Sequence, residues 1–312
     1  MRKAGRWAGL PLTRLRAGVQ YRFEYRRFIR YAKRAVLRGK GTVKIGRQDQ
    51  RSSAISTSNA DTILVRGRDL VRELVGTIGF SEYFWLLVTG GVPSPAQRRV
   101  LDATLVAIAE HGLVPSVQAA RMTLTAAPEA LQGAVAAGLL GCGSTVFGSS
   151  ESAGRFFAEI HNRAAKGASL EDAATAVVSE YREAKRAIPG YGHPLHRGGD
   201  PRATRLVEVA AETGIASRYV EIARLVERLM PALLGRPLAL NVSGAIPAVL
   251  LDAGFPLPGL KGVPLLARTA GLVAHLVEEQ QRSIGFVMSH AAAQVIDYDG
   301  EAPPGFKPSE EA

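Results

Sequence analysis

The sequence of 312 residues holds a single cysteine, Cys142. One thiol excludes an intrachain disulfide framework and any metal centre built from cysteines. Cys142 lies in the apolar small-residue stretch LLGCGS and is expected to pack as a small apolar group. Long apolar runs are missing too: no segment reaches about 18 uninterrupted apolar residues, and no secretory-type apolar stretch stands near the start. A cytoplasmic location is the expectation. Histidine is scarce, at six residues, and shows no HExxH or other tight ligand spacing, so no metal site is expected. Disorder throughout is excluded by a hydrophobic content of 46%, which can bury one large core, or one core and a smaller lobe.

Acidic residues are nearly absent from one end. Residues 1–51 carry 16 Lys and Arg against Glu24 and Asp49 alone, whereas the rest of the chain is close to neutral. The basic arm, residues 1–50, includes YRFEYRRFIRYAKRAVLRGK, where aromatics interleave with arginine. Three readings stay open for it: a mobile extension, a helix packing on a partner subunit, or a patch for nucleic acid or membrane. Function is not expected to rest on nucleic-acid or membrane contact by this arm.

From about residue 60 the punctuation is that of successive helices. Ser94-Pro95 opens a helix to about Gly112, since serine caps and proline fits the first turn. A second covers Pro128 to Leu140 and is rich in alanine and glycine. Ser169 with Asp172 starts one that runs to about Ala187. Asp200-Pro201 starts another, ending at Gly214. Further helices span about Arg218 to Leu234, begin at Pro247, and run from Val263 to Gln281. The fold class is mainly α. The segment 150–240 is more charged than its flanks and reads as a small domain inserted between two parts of a large one, 51–149 and 241–300, with a polar tail at 301–312.

The strongest local signal is IPGYGHPLHRGGDPRA, residues 188–203. Gly190 and Gly192 allow a loop to approach a ligand closely and offer its amides. His193, Arg197 and Arg202 add a neutral-pH proton donor and two cations beside the start of a helix, a set suited to carboxylate or phosphate. A plainer alternative stands beside this: Asp200 caps its helix, Arg202 pairs locally, and His193 is a satisfied loop residue.

This Gly-aromatic-Gly-His pattern, with a basic residue four on and Asp-Pro-Arg from seven on, resembles the signature of citrate synthases, 2-methylcitrate synthases and citryl-CoA lyases. The likeness continues in order through DTILVRGRDLVRELVG (61–76), His111-Gly112 with the helix after it, the glycine-rich stretch 132–148, NVSGAIPAVLLDAGFP (241–256) and ARTAGLVAHLVEEQ (267–280). The wording of 61–140 and 241–285 is most similar to bacterial citryl-CoA lyases. The resemblance implies a two-lobed helical fold, a homodimer, and an enzyme that makes or breaks a carbon–carbon bond between an acyl-CoA and a keto acid, with citryl-CoA cleavage to acetyl-CoA and oxaloacetate as the leading case. It implies that His111, His193, Arg202 and Arg268 bind the dicarboxylate, that Arg282 reaches the neighbouring subunit's site, that Arg197 meets the phosphates of coenzyme A, and that Gly190, Tyr191 and Gly192 run along its adenine. Guanidinium groups can hold carboxylates in forked pairs while an imidazole bonds the oxygen at the reacting carbon.

Two departures bear on the chemistry. The family's histidine for the thioester oxygen falls at Phe147, 36 residues after His111 and 46 before His193, and its proton-abstracting aspartate falls at Ser243. A positioned base contributes about 10² to 10⁴ in rate and an oxyanion donor about 10² to 10³, so losing both would slow condensation by about 10⁴ to 10⁷. Ser243 positioning a water, His196 or Glu151 are the candidate substitutes. The alternative function is a homologue that binds a CoA thioester and a dicarboxylate without turnover.

Overall fold

The structure, a computed structural model, describes residues 52–192 and 199–306, with the backbone alone at 144–147. The basic arm, His193, His196, Arg197, the side chain of Phe147 and residues 307–312 therefore lie outside the described residues. The helical body belongs to one compact unit, Ala54–Ala312.

The chain enters this unit through a three-stranded antiparallel meander, β1 (Ser56–Ser58), β2 (Ile63–Val65) and β3 (Arg68–Asp69), with Thr57 opposite Leu64 and Val65 opposite Arg68. The sequence gives no alternation here because strands of two or three residues are too short to show one. Arg66 and Gly67 join β2 to β3, both at positive φ (51° and 79°), the backbone twist that suits a two-residue hairpin. Arg66 is held in that conformation by donating Nε to the Leu87 carbonyl, 3.0 Å away.

Ten α-helices among the described residues come after it: α1 (Phe80–Thr89), α2 (Pro95–Ala109), α3 (Pro115–Ala126), α4 (Leu131–Ala165), α5 (Leu170–Glu183), α6 (Pro201–Glu212), α7 (Arg218–Leu234), α8 (Val242–Asp252), α9 (Gly262–Gln281) and α10 (Gly285–Val295). Caps foreseen from sequence are in place: Ser94 accepts from Gln97 N (3.2 Å), Ser169 from Asp172 N (3.0 Å) and Asp200 from Arg202 N (3.1 Å). Several boundaries differ from expectation. The helix expected to end at Leu140 runs to Gly143, whose φ of 54° and ψ of −170° break the helical path, and a second helical stretch then carries α4 on to Ala165. The helix expected to begin at Pro247 begins at Val242, with the proline inside it. The one expected to reach Ala187 stops at Glu183.

Helix α8 explains the core. Val242 and all of Gly244–Leu250 are buried, and the helix packs against α2, α4, α6 and α7. Around it lie Phe156, Phe157 and Ile160 of α4, Val226 and Met230 of α7, and Phe255. A second, smaller core joins Val117, Ala120 and Leu124 of α3 to Ala134 of α4 and to Leu272 and Leu276 of α9. Gly138 permits that contact, since a Cβ there would sit 2.9 Å from the Ser116 carbonyl oxygen and 2.8 Å from Leu272.

Candidate active site

The start of α8 is a meeting point. Asn241 caps the helix by accepting from Gly244 N (3.2 Å), donates its backbone N–H to the Gly190 carbonyl (3.0 Å), and donates Nδ2 to the Gly192 carbonyl (2.6 Å). Gly192 N returns a bond to the Ala239 carbonyl (2.8 Å). Gly190 takes φ +88°, and a Cβ on it would lie 2.7 Å from Gly244 Cα, so two glycines let the loop lie directly on the helix end. Tyr191, between them, points inward: its hydroxyl donates to the Ala223 carbonyl (2.7 Å), its ring meets Phe157 edge-on, and burial pushes its pKa up. Its ring anchors the loop, whose glycine backbone is itself bonded to Asn241 and Ala239.

Asp200 completes the junction. It is 2% exposed, receives a forked pair from Arg202 (Nε to Oδ1 3.0 Å, Nη2 to Oδ2 2.9 Å) and accepts Val242 N at 3.0 Å. Burial opposes its ionisation, but the Arg202 fork and the Val242 amide outweigh that and hold its pKa below the usual range. Arg202 is therefore paired locally, as the plainer sequence reading allowed, and any carboxylate it binds must share it with Asp200. Beside this junction Ser149 Oγ donates to Ser243 Oγ across 3.0 Å. Glu151 is engaged by Arg155, 2.6 Å away, on the surface of α4.

A second group lies between the end of α2 and the middle of α9. Arg268 is 9% exposed, and its Nε and Nη1 are buried without a hydrogen-bond partner among the described residues. An unpaired buried guanidinium is costly, and an anion reaching these nitrogens would offset that cost. One turn on, Gly271 packs on the Ala109 carbonyl oxygen, only 2.1 Å from where a Cβ would be. His275 Nε2 lies 2.9 Å from Glu110 Oε2, at ion-pair distance but poorly aligned for N–H donation. Glu110 Oε1 accepts the backbone N–H groups of His111 (2.8 Å) and Gly112 (2.5 Å). Partial burial opposes its charge, yet His275 and these amides lower its pKa. His111 itself is exposed on this turn.

Arg282, also exposed, follows α9 in the turn to α10. Two residues that sequence reasoning passed over dominate its surroundings. Arg121 of α3 and Glu279 of α9, both nearly fully buried, pair through Nε and Oε2. Arg121 donates Nη1 to Glu278 Oε2 (2.8 Å) and Nη2 to the Arg282 carbonyl (3.1 Å). Glu279 Oε1 accepts from Thr125 Oγ1 (2.7 Å), Ser283 Oγ (2.8 Å), Ile284 N (2.9 Å) and Gly285 N (2.9 Å). Burial resists ionisation of Glu279, but these donors win and hold its pKa at about 2.

A cavity of about 800 Å³ opens beside the glycine loop, between the ends of α5 and α7. Arg182, Arg186 and Arg236 rim it, over an apolar floor that includes Ile188, Leu233 and Leu238. Arg182 Nη1 donates to the Leu233 carbonyl at 2.8 Å, and Arg186 lies 4.2 Å over the Tyr181 ring. These cations were not singled out from sequence; Arg182 and Arg186 signal themselves only as basic residues preceding the loop, which surface helices commonly show, and Arg236 stands apart after α7.

The structure thus gathers Gly190, Tyr191, Gly192, Arg202 and Ser243 at the start of α8, places Arg268 on α9 one turn before Gly271, which meets the end of α2 two residues before His111, and sets Arg282 on a turn fixed by Arg121 and Glu279. The comparisons with known proteins agree with that architecture. The structure of citryl-CoA lyase from Hydrogenobacter thermophilus superposes with a TM-score of 0.72 at 31% identity, covering 82% of this chain and 97% of that one. ATP citrate lyase from Methanosaeta concilii, in complex with (3S)-citryl-CoA, shares the fold at 21% identity with a TM-score of 0.61, over 89% of this chain and 44% of that one. Citrate/2-methylcitrate synthase from Bacillus subtilis is 26% identical over 211 residues, 65% of this chain and 53% of its own length, so the chain spans about half the length of that curated relative. The family model for the citrate synthase C-terminal domain matches residues 79–285, from α1 through the turn that carries Arg282. With the match running unbroken through every helix that builds the two groups of side chains, the chain belongs to the citrate synthase family.

Proposed function

We propose that this protein cleaves citryl-CoA, or a close acyl-CoA analogue, to acetyl-CoA and oxaloacetate, or runs that reaction in reverse. The observation that carries the reading is Arg268, a buried guanidinium with two N–H groups left for an anion, in a chain that resembles citryl-CoA lyase over nearly that protein's whole length. In the cleavage direction the hydroxyl at the tertiary carbon of citryl-CoA loses its proton, the adjacent carbon–carbon bond breaks to give oxaloacetate, and the thioester enolate takes a proton at carbon. His111, His193, Arg202 and Arg268 hold the oxaloacetate half, and a partner subunit's Arg282 completes the site in a homodimer. Coenzyme A lies with its adenine along Gly190–Gly192 and its phosphates toward Arg197 and the rim of Arg182, Arg186 and Arg236. The small domain 150–240 closes over the cleft and excludes water.

One observation favours a second reading, binding of CoA thioester and dicarboxylate without turnover. Ser243, where the family has its aspartate, is bonded to another hydroxyl, Ser149, and no carboxylate bonds it among the described residues. A serine hydroxyl can donate to a developing oxyanion but does not serve as a carboxylate base at neutral pH. The deciding experiment supplies purified protein with citryl-CoA and follows oxaloacetate release, then supplies acetyl-CoA with oxaloacetate and follows free thiol. Turnover in either direction supports the first reading. Binding of both ligands without turnover supports the second, and binding of neither overturns both.

A further inference from the structure

A chain of polar contacts links the turn of His111 to the turn of Arg282. It begins where Glu110 Oε1 accepts the His111 and Gly112 amides. It passes from Glu110 Oε2 to His275 Nε2 (2.9 Å), then from His275 Nδ1 to Arg121 Nη1 (3.3 Å). It ends where Arg121 Nη2 bonds the Arg282 carbonyl and Glu279, paired with Arg121, gathers the Ser283, Ile284 and Gly285 donors. Arginine only donates, so His275 Nδ1 accepts, which places the imidazole proton on Nε2, toward Glu110. The Glu110–His275 link is a close electrostatic contact, not an aligned hydrogen bond, and the other links are hydrogen bonds.

At the Arg282 turn two helix termini have complementary needs. Glu279 satisfies the first amides of α10 where the helix dipole is positive, and Arg121 satisfies a carbonyl just past the last turn of α9. Gly285 allows α3 to come this close, since a Cβ on it would lie 2.1 Å from Thr125 Oγ1. A buried ion pair of this kind is often no more stabilising than well-packed apolar residues of the same volume. Its distinct contribution is fixed direction: several charge-assisted bonds from the pair specify where the 282–285 backbone lies.

We propose that Arg121 is a positioning residue for dicarboxylate binding, setting through His275 and Glu110 the place of His111 and, through the 282–285 turn, the direction of Arg282. The proposal rests on the reading of His111 and Arg282 as dicarboxylate ligands. Because Arg282 serves the partner's site while His111 serves its own, Arg121 stands between two sites of the dimer.

The test is calorimetric titration of oxaloacetate, and separately of coenzyme A, into the full-length protein and its Arg121→Lys, His275→Gln, His111→Ala, Arg282→Ala and Arg121→Lys/Arg282→Ala variants. His275→Gln cuts the chain without stranding a buried charge, so it remains informative should Arg121→Lys fail to fold. The expected result is an oxaloacetate Kd raised about tenfold in both Arg121→Lys and His275→Gln, unchanged coenzyme A affinity, and a double variant that is worse than Arg282→Ala alone but loses less than the two single variants summed. Equal losses for both ligands, or strict additivity in the double variant, would overturn the positioning role. Unchanged oxaloacetate binding in His111→Ala and Arg282→Ala would overturn the reading of the site itself and this proposal with it; losses there, with Arg121→Lys and His275→Gln unaffected, would overturn this proposal alone.

Discussion

At the scale of single residues, the two buried arginines behave oppositely. Arg121 has every nitrogen engaged, whereas Arg268 leaves Nε and Nη1 without partners among the described residues. Replacing Arg268 with methionine removes a desolvated charge while keeping volume, so the ligand-free protein is expected to gain about 1–3 kcal/mol. The rise in melting temperature that oxaloacetate gives the parent protein should vanish in that variant. Thermal melts with and without oxaloacetate check both halves. Removing the charge of Glu279 should do the reverse. Its pKa is about 2 in the folded protein against an ordinary 4.5, so its contribution is fully present above pH 4.5 and fades as pH falls toward 2. At 1.36 kcal/mol per unit the contribution is on the order of 3 kcal/mol. Glu279→Gln should therefore lose about that much at pH 7 and little at pH 2, flattening the acid limb of stability measured by urea unfolding.

At the scale of elements, close approach of backbone matters more than side-chain volume. A Cβ on Gly244 would lie 2.5 Å from the Gly190 carbonyl oxygen, and backbone cannot step aside as a flexible side chain can. Gly244→Ala is expected to cost about 1–3 kcal/mol and to weaken coenzyme A binding, because it pushes the glycine loop off α8. Gly133→Ala, also in a helix but meeting only the Ala130 Cβ at 3.5 Å, should instead stabilise by about 0.5–1 kcal/mol. Chemical unfolding of the two variants separates crowding from helix propensity. The same distinction decides what could be read in advance. The starts at Pro95 and Pro201 and the span of α7 were legible because capping is local chemistry: serine or aspartate followed by proline, and glycine at the far end. The start of α8 was not, because Pro247, a residue that ordinarily opens a helix, is carried inside one by tertiary packing. At the site, the glycine loop and Arg268 could be named from motifs. The Arg121–Glu279 pair joins residues 158 apart in sequence, so no local pattern announces it.

At the scale of the whole molecule, α9 and α10 expose apolar side chains on either side of the turn that carries Arg282. Val273 and Val277 on α9 and Phe286, Val287 and Val295 on α10 are exposed, Phe286 by 72%. Apolar surface of this kind is expected to be covered in solution. If a second copy covers it, each site takes Arg282 from its neighbour, and a mixing experiment becomes decisive. Arg268→Ala and Arg282→Ala protomers, each defective alone, are unfolded and refolded together in equal amounts. Random pairing makes half the dimers mixed, and in each of these one site is intact, with Arg268 from one protomer and Arg282 from the other, while its twin lacks both. The mixture should regain about a quarter of parental activity, or of oxaloacetate-binding capacity if the protein does not turn over. No recovery, with dimers present by sedimentation, would mean that Arg282 acts within its own subunit and that the apolar surface meets its partner in a different register.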